Sequence, residues 1–536
     1  MNTILIIVVI FYLLTTALLG YIGYRQTKST ADYLLAGRKV HPVVMAISYG
    51  ATFISTSAII GFGGAAAVYG MGVLWLTVLN IFIGIFIAFA IFGKRTRKMG
   101  HNLDAHTFPE FIGKRFQSPF LQWASGLLIF VAMPLYAGAV IIGGAQFITE
   151  TLHINYEMAL LCFVSIVALY VVMGGLKGVM YTDAFQGTIM FIGMALLLIF
   201  TYVKLGGVIK AHEALTALKP EAVKIFGAMG HQGWTSMPQA GSVFWWQLVS
   251  TVVMGVGIGV LAQPQLIVRF MTVKSNREIN RAVLIGGVFI FMMTGVAFIV
   301  GALTNVYFHK TLGKIAIVAV SKKTDSIIPL FINSAMPQWF TAVFMVTLLA
   351  AAMSTLSSQF HTMGSAFGRD FLEYGMKIKT KSTILTTKIA MLFAICISAL
   401  LAYVLPNFFE QGTAIIAVGT AIFFGLCAAA FLPLYFGALY IKATTRQSAI
   451  ACFVSGAMVS AFWIFFVHIK ESKPLGICKA LFGVDSLASS VLLQNIDPII
   501  VSLPVSILVT IIVSMMTKAP DKDHLQSVFS GVITKV

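Results

Sequence analysis

Apolar runs of about 20 residues recur along this chain, separated by short polar stretches, and each is long enough for a helix to cross a bilayer. Thirteen can be drawn, at 3–24, 42–67, 71–93, 120–149, 157–175, 180–203, 243–268, 282–307, 336–366, 385–405, 412–440, 447–468 and 497–516. No stretch between them could form a water-soluble catalytic domain. The longest, 204–241 and 469–496, have room only for short helices. The pattern predicts an all-α integral membrane protein with about thirteen transmembrane helices. The first run has no leading Lys or Arg and no small-residue cleavage site, so it reads as a retained helix and not a signal peptide.

Three features depart from plain lipid-facing helices. The first is a cluster of hydroxyls in the ninth run, where Ser354, Thr355, Ser357 and Ser358 replace the expected Leu or Val. At 3.6 residues per turn, Ala351, Ser354, Ser358, His361 or Thr362, and Ser365 share a face. Uncharged oxygens on one stripe suit a small hard cation. They suit equally well a helix whose hydroxyls bond back to its own carbonyls or let neighbours pack closely. The second feature is a pair of interruptions. Ser48–Ser57 is followed by Gly61, Gly63 and Gly64 in the second run, and Gly255, Gly257, Gly259 and Gln263-Pro264 lie in the seventh. Such breaks are tolerated at membrane depth only where protein or a water-filled cavity covers them. Their positions, five runs apart, match an inverted repeat of five helices with the first helix of each half broken at a binding site. The third feature is Asp183, an exception to the near absence of charge inside the runs. It could cap the sixth helix or bind a cation.

Composition agrees with a lipid solvent: 59% of residues are hydrophobic and 10% charged, against about 25% charged in soluble domains, and mean hydropathy is +0.93. The net charge of +18 would suggest nucleic acid in a soluble protein. Its distribution says otherwise. With the N-terminus outside and the C-terminus cytoplasmic, inside segments, together with Lys388 at the inner end of the tenth run, hold 25 of the 36 Lys and Arg, including all ten Arg. That is the positive-inside bias of a cell-membrane protein whose basic charge sets topology and meets anionic lipid. No nucleic-acid footprint and no obligate protein partner is evident. The five Cys show no paired spacing, so disulfides and thiolate metal sites are not expected.

Five segments in order resemble the sodium:solute symporter family: ADYLLAGRKV at 31–40, TFPEFIGKRF at 107–116, GGLKGVMYTDAFQGTIMFIG at 174–193, AQPQLIVRFMTVKSNRE at 262–278 and LAAAMSTLSSQ at 349–359. The resemblance spans nearly the whole chain. It implies a leucine-transporter-like core, with residues 1–40 as an extra N-terminal helix and loop and 41–205 as the first five-helix repeat. An extracellular loop and the second repeat would follow at 206–440, with two further helices and a short tail at 441–536. It also implies cotransport of sodium with a small organic solute. Carried onto this chain, one sodium site would use the carbonyls of Ala51, Ile54 and Ala351 and the hydroxyls of Ser354 and Thr355. Some members have a second site, matched here by Asp183, Ser354, Ser357 and Ser358, which implies two sodium ions per cycle.

By the same placement, Thr52, Phe53, Ser55, Thr56, Ser57 and Ala58, with Thr77, Asn80, Trp246 and Gln247, would line the solute pocket. For each, packing or an interhelical hydrogen bond is an equal alternative. Phe53 stands where certain members have Asp or Asn, and Ala58 where sugar-binding members have Gln. No Arg lies in the fourth run, which argues against sialic acid. GGAAAVYGMG at 63–72 resembles the monocarboxylate and pantothenate branch, and a small carboxylate or amino acid fits these residues better than a hexose. The alternatives are a proton-coupled transporter of the same fold, for which only Asp183 could carry the proton, and a sugar symporter. An intramembrane enzyme is excluded by the lack of an HExxH or GxSxG motif and of an acidic neighbour for His361. A sensor would need a soluble signalling domain, for which residues 517–536 are too few.

Overall fold

Apolar runs with internal hydrogen bonding can meet lipid only as helices or closed barrels, and here they are helices. The computed structural model describes residues 3–378, 382–408 and 415–532, and no strand occurs among them. Eleven helices among the described residues are long and apolar enough to cross a membrane, with shorter apolar helices at Pro42–Phe53 and Tyr156–Leu169. The expected count of thirteen is not reached because two of the runs do not give a separate helix of spanning length. The second run is cut after Phe53, and its remainder adjoins the third within Ser57–Asn102, with Gly70 (φ 81°, ψ −162°) out of helical geometry between them. The fifth run gives the shorter helix Tyr156–Leu169, and the sixth gives the span Gly175–Leu205.

The break between them is at Gly175, where φ is 59° and ψ 178°, a conformation open essentially to glycine alone. A Cβ there would also lie 2.8 Å from the Tyr33 ring. The helix resumes at once, so Asp183 sits about two turns inside it. The capping role weighed for Asp183 is therefore not adopted.

Burial ranks the helices. In the helix containing the hydroxyl stripe, Gln338–Ser365 with its continuation to Gly375, 89% of the most apolar window is buried, against 22% in Ile7–Gln26 and in Ile499–Met516. The hydroxyl helix is thus central, and the terminal helices turn Phe11, Leu14, Met515 and Met516 outward.

The glycines at the two interruptions mark close packing more than unwinding. A Cβ on Gly301 would fall 2.1 Å from Gly63 O, and one on Gly259 would fall 2.5 Å from Phe424 O. The helix breaks fall not at these glycines but at Ile54 (φ −91°, ψ 108°), within Ser48–Ser57, and at Gln263 (φ −74°, ψ 114°), before Pro264. Outside the spans, Glu110 on the short helix Phe108–Arg115 reaches the end of the hydroxyl helix. It lies 2.9 Å from both Lys114 Nζ and Arg369 Nη2. Burial pushes its carboxyl up, but hydrogen bonding with His106 and the Arg369 charge outweigh this and hold it at about 2.

Candidate functional site

A helix ends with four carbonyls that no amide of its own reaches. Pro42–Phe53 ends in this way beside the hydroxyl helix, which satisfies two of them. Ser354 Oγ donates to Ala51 O at 2.9 Å and lies 3.2 Å from Ala351 O. Thr355 Oγ1 donates to Thr52 O at 3.1 Å. Ala51, Ala351, Ser354 and Thr355 are all completely buried, and Ile54 is 1% exposed. Three of the five oxygens expected for the first ion site therefore meet at Ser354. Thr355 grips the same broken end through Thr52 instead of Ile54. Neutral carbonyl and hydroxyl oxygens suit a monovalent hard cation that must also leave.

One turn on, the same helix meets Asp183. Ser357 Oγ donates to Asp183 Oδ1 at 3.3 Å, and Ser358 Oγ to Oδ2 at 3.4 Å. Ser48 and Thr52 donate to Oδ2 at 2.9 and 3.2 Å. Ser357 also donates to Ser354 O at 3.0 Å, which links the two clusters. A cation is already present here. Arg269 Nη2 lies 2.8 Å from Asp183 Oδ2, with both side chains buried. The same nitrogen donates to Thr52 Oγ1 and Ser358 Oγ, and Nε donates to Ser48 Oγ at 3.1 Å. Arg269 thus departs from its sequence reading as a topology-setting loop charge: its guanidinium is turned into the core.

Beyond the break, Phe53, Ile54, Ser55, Ser57 and Ala58 line a small cavity of about 20 Å³ with Asn80, Tyr136, Thr294, Phe298, Thr420 and Phe424, room for roughly one water. Ser57 Oγ and Asn80 Oδ1 are buried without a hydrogen-bond partner among the described residues. Phe62 lines both this cavity and a larger one of about 430 Å³, whose lining includes Tyr69, Phe244, Gln247, Thr251, Lys322 and Lys470.

The sequence model of the sodium:solute symporter family matches residues 33–456. The chain belongs to this family. A sodium/proline symporter of Staphylococcus aureus is 30% identical over 528 residues, covering 96% of this chain and 93% of that one. A solved Na+-coupled sialic acid symporter shares the fold, with TM-score 0.71 and 18% identity over 97% of this chain and 99% of that one. Mhp1, a nucleobase-cation-symport-1 family transporter, gives TM-score 0.52 and 14% identity over 94% and 99%. The protein is a multi-pass secondary transporter of leucine-transporter-like fold, not an enzyme, and sodium is its coupling ion.

Within this symporter the expected solute residues divide. Phe53, Ser55, Ser57, Ala58 and Asn80 share the central cavity. Thr56 is turned away, donating to Val140 O at 2.8 Å. Thr52 belongs to the Asp183 cluster. Gln247 lines the larger cavity, where it accepts from Tyr69 Oη at 2.8 Å and donates to Asn495 at 2.9 Å. Thr77 and Trp246 are not in the lining of the central cavity, and the Thr77 hydroxyl and Trp246 Nε1 are buried without partners among the described residues. Sequence reasoning missed Tyr136, Thr294, Phe298, Thr420 and Phe424, because an aromatic or lone Thr in an apolar run carries no distinguishing signal. It also missed Arg269. The signal there was an Arg five residues after Pro264, at the end of a short helix bounded by a break.

Proposed function

We propose that this symporter imports a small amino or carboxylic acid by alternating access, driven by one sodium ion held at Ala51, Ile54, Ala351, Ser354 and Thr355. The observation that carries this reading is Ser354, whose hydroxyl joins the Ala51 carbonyl of the broken helix to the Ala351 carbonyl of its own. An ion replacing that hydrogen-bonded contact ties the broken helix to the hydroxyl helix and so orders the neighbouring solute cavity. The lining of that cavity supports a compact solute: aromatic walls, a few hydroxyls and a single amide, Asn80. Proline, the solute named for the Staphylococcus aureus relative, fits that description and is the first to test. At about 20 Å³ the cavity is too small for proline, and the walls must part to admit it.

One ion per cycle departs from the two implied by the family resemblance. The oxygens of Asp183, Ser354, Ser357 and Ser358 are present, but the carboxylate is neutralised by Arg269. The same pairing disfavours proton coupling, since Asp183 would have to leave a guanidinium to take a proton. The N-terminus is placed outside and the C-terminus in the cytoplasm, supported by the Lys and Arg distribution.

The test is uptake into proteoliposomes of labelled L-proline, pyruvate or glucose, with an inward sodium gradient or with choline at constant pH. Proline or pyruvate should accumulate only with sodium. Accumulation in choline driven by a pH gradient, or accumulation of glucose in place of the acids, would overturn the reading.

A further inference from the structure

Arg269 follows the second helix break and is the last-turn cation of Pro264–Phe270. Its side chain is 1% exposed, and that of Asp183 is completely buried. Every polar contact recorded for the guanidinium is to oxygen: Asp183 Oδ2, Thr52 Oγ1, Ser358 Oγ, Ser48 Oγ and Gln265 O. Two of these residues, Asp183 and Ser358, belong to the second sodium set.

One carboxylate neutralises one cation. A sodium ion added beside a docked guanidinium would leave a net positive charge buried among neutral hydroxyls, which a low-dielectric interior opposes strongly. It would also find Ser358 already engaged. We propose that Arg269 is the resident cation of the Asp183 cluster, and that the cluster accepts a monovalent cation only when this side chain withdraws. Occupants of the cluster are thereby linked to the second broken helix, because Arg269 rides on it while Asp183 and Ser358 sit on two other helices. While docked, the guanidinium keeps the cluster neutral and limits the coupling ion to the first site. The inference rests on the sodium-symport reading and adds to it which residue sets the number of ions.

The test is equilibrium binding of radioactive sodium to the purified full-length protein without solute, at a concentration that saturates the first site. Wild type should bind one ion per chain and Arg269→Gln two. Arg269→Lys, which keeps the charge, should bind one, and Arg269→Gln combined with Asp183→Asn should return to one. Two ions on wild type, or one on Arg269→Gln, would overturn the proposal. Should Arg269→Gln fail to fold, Ser48→Ala replaces it, since Ser48 accepts from the guanidinium, donates to Asp183 and belongs to neither sodium set. It should bring a second binding phase to about three- to tenfold lower sodium than in wild type, and an unmoved phase overturns the proposal. No sodium binding by wild type at all would instead refute the symport reading beneath it.

Discussion

Ser354 joins carbonyls of two helices through a single hydroxyl, so its loss should be felt by the ion before the solute. Ser354→Ala removes one oxygen from a set of about five and leaves Ala51 O without its side-chain donor. A bond to a charged partner contributes about 1.5–3 kcal/mol, so half-saturating sodium should rise roughly 10- to 100-fold. Thr355→Ala should act in the same direction, and solute affinity at saturating sodium should change little in either. Sodium-dependence curves of uptake check this; an unchanged sodium affinity would remove these residues from the site. Asn80→Ala should do the reverse, raising half-saturating solute about tenfold, the effect of one lost buried hydrogen bond, with sodium affinity kept. At this scale the hydroxyl stripe was legible because helical period places its members on one face. Arg269 was not, because counting charges along a chain assigns every Arg near a span end to a loop. Whether its side chain turns outward or into the core depends on Asp183, 86 residues away.

The helices were legible as elements, but their interruptions were only partly so. Gly clusters drew attention to the correct spans, yet Gly63 and Gly259 serve close approach, and the breaks fall at Ile54 and Gln263. Composition cannot separate these roles, since both favour the smallest residue. Gly175 gave no sequence signal of its own. Its backbone lies where other residues are strained by about 1–3 kcal/mol, and a Cβ would meet Tyr33. Gly175→Ala should therefore lower the thermal unfolding temperature in detergent by several degrees. Gly301→Ala should be at least as damaging, because the obstacle 2.1 Å from its Cβ is backbone. An unfolding midpoint matching wild type would mean that the helices can slide apart at these contacts without loss.

For the whole molecule, two couplings follow from where the charges sit. Glu110 has its carboxyl held down at about 2 from an ordinary 4.5, so its contribution is present above pH 4.5 and fades as pH falls toward 2. Wild type should lose thermal stability over that window more steeply than Glu110→Gln, as a pH series of unfolding midpoints would reveal. Membrane potential contributes about 2.3 kcal/mol per charge per 100 mV. With one sodium per neutral solute and no sodium concentration difference, 100 mV should sustain accumulation of about 50-fold. Two ions would sustain roughly three orders of magnitude, an outcome that would exclude the single-ion cycle. By itself the sequence determined the solvent, the helical class, the family and the hydroxyl face, because hydropathy, period and ordered motifs are local along the chain. The tertiary structure decided which oxygens converge on Ser354, which side chains close the solute cavity and which cation neutralises Asp183. Those are contacts between spans far apart in sequence, and no local pattern records them.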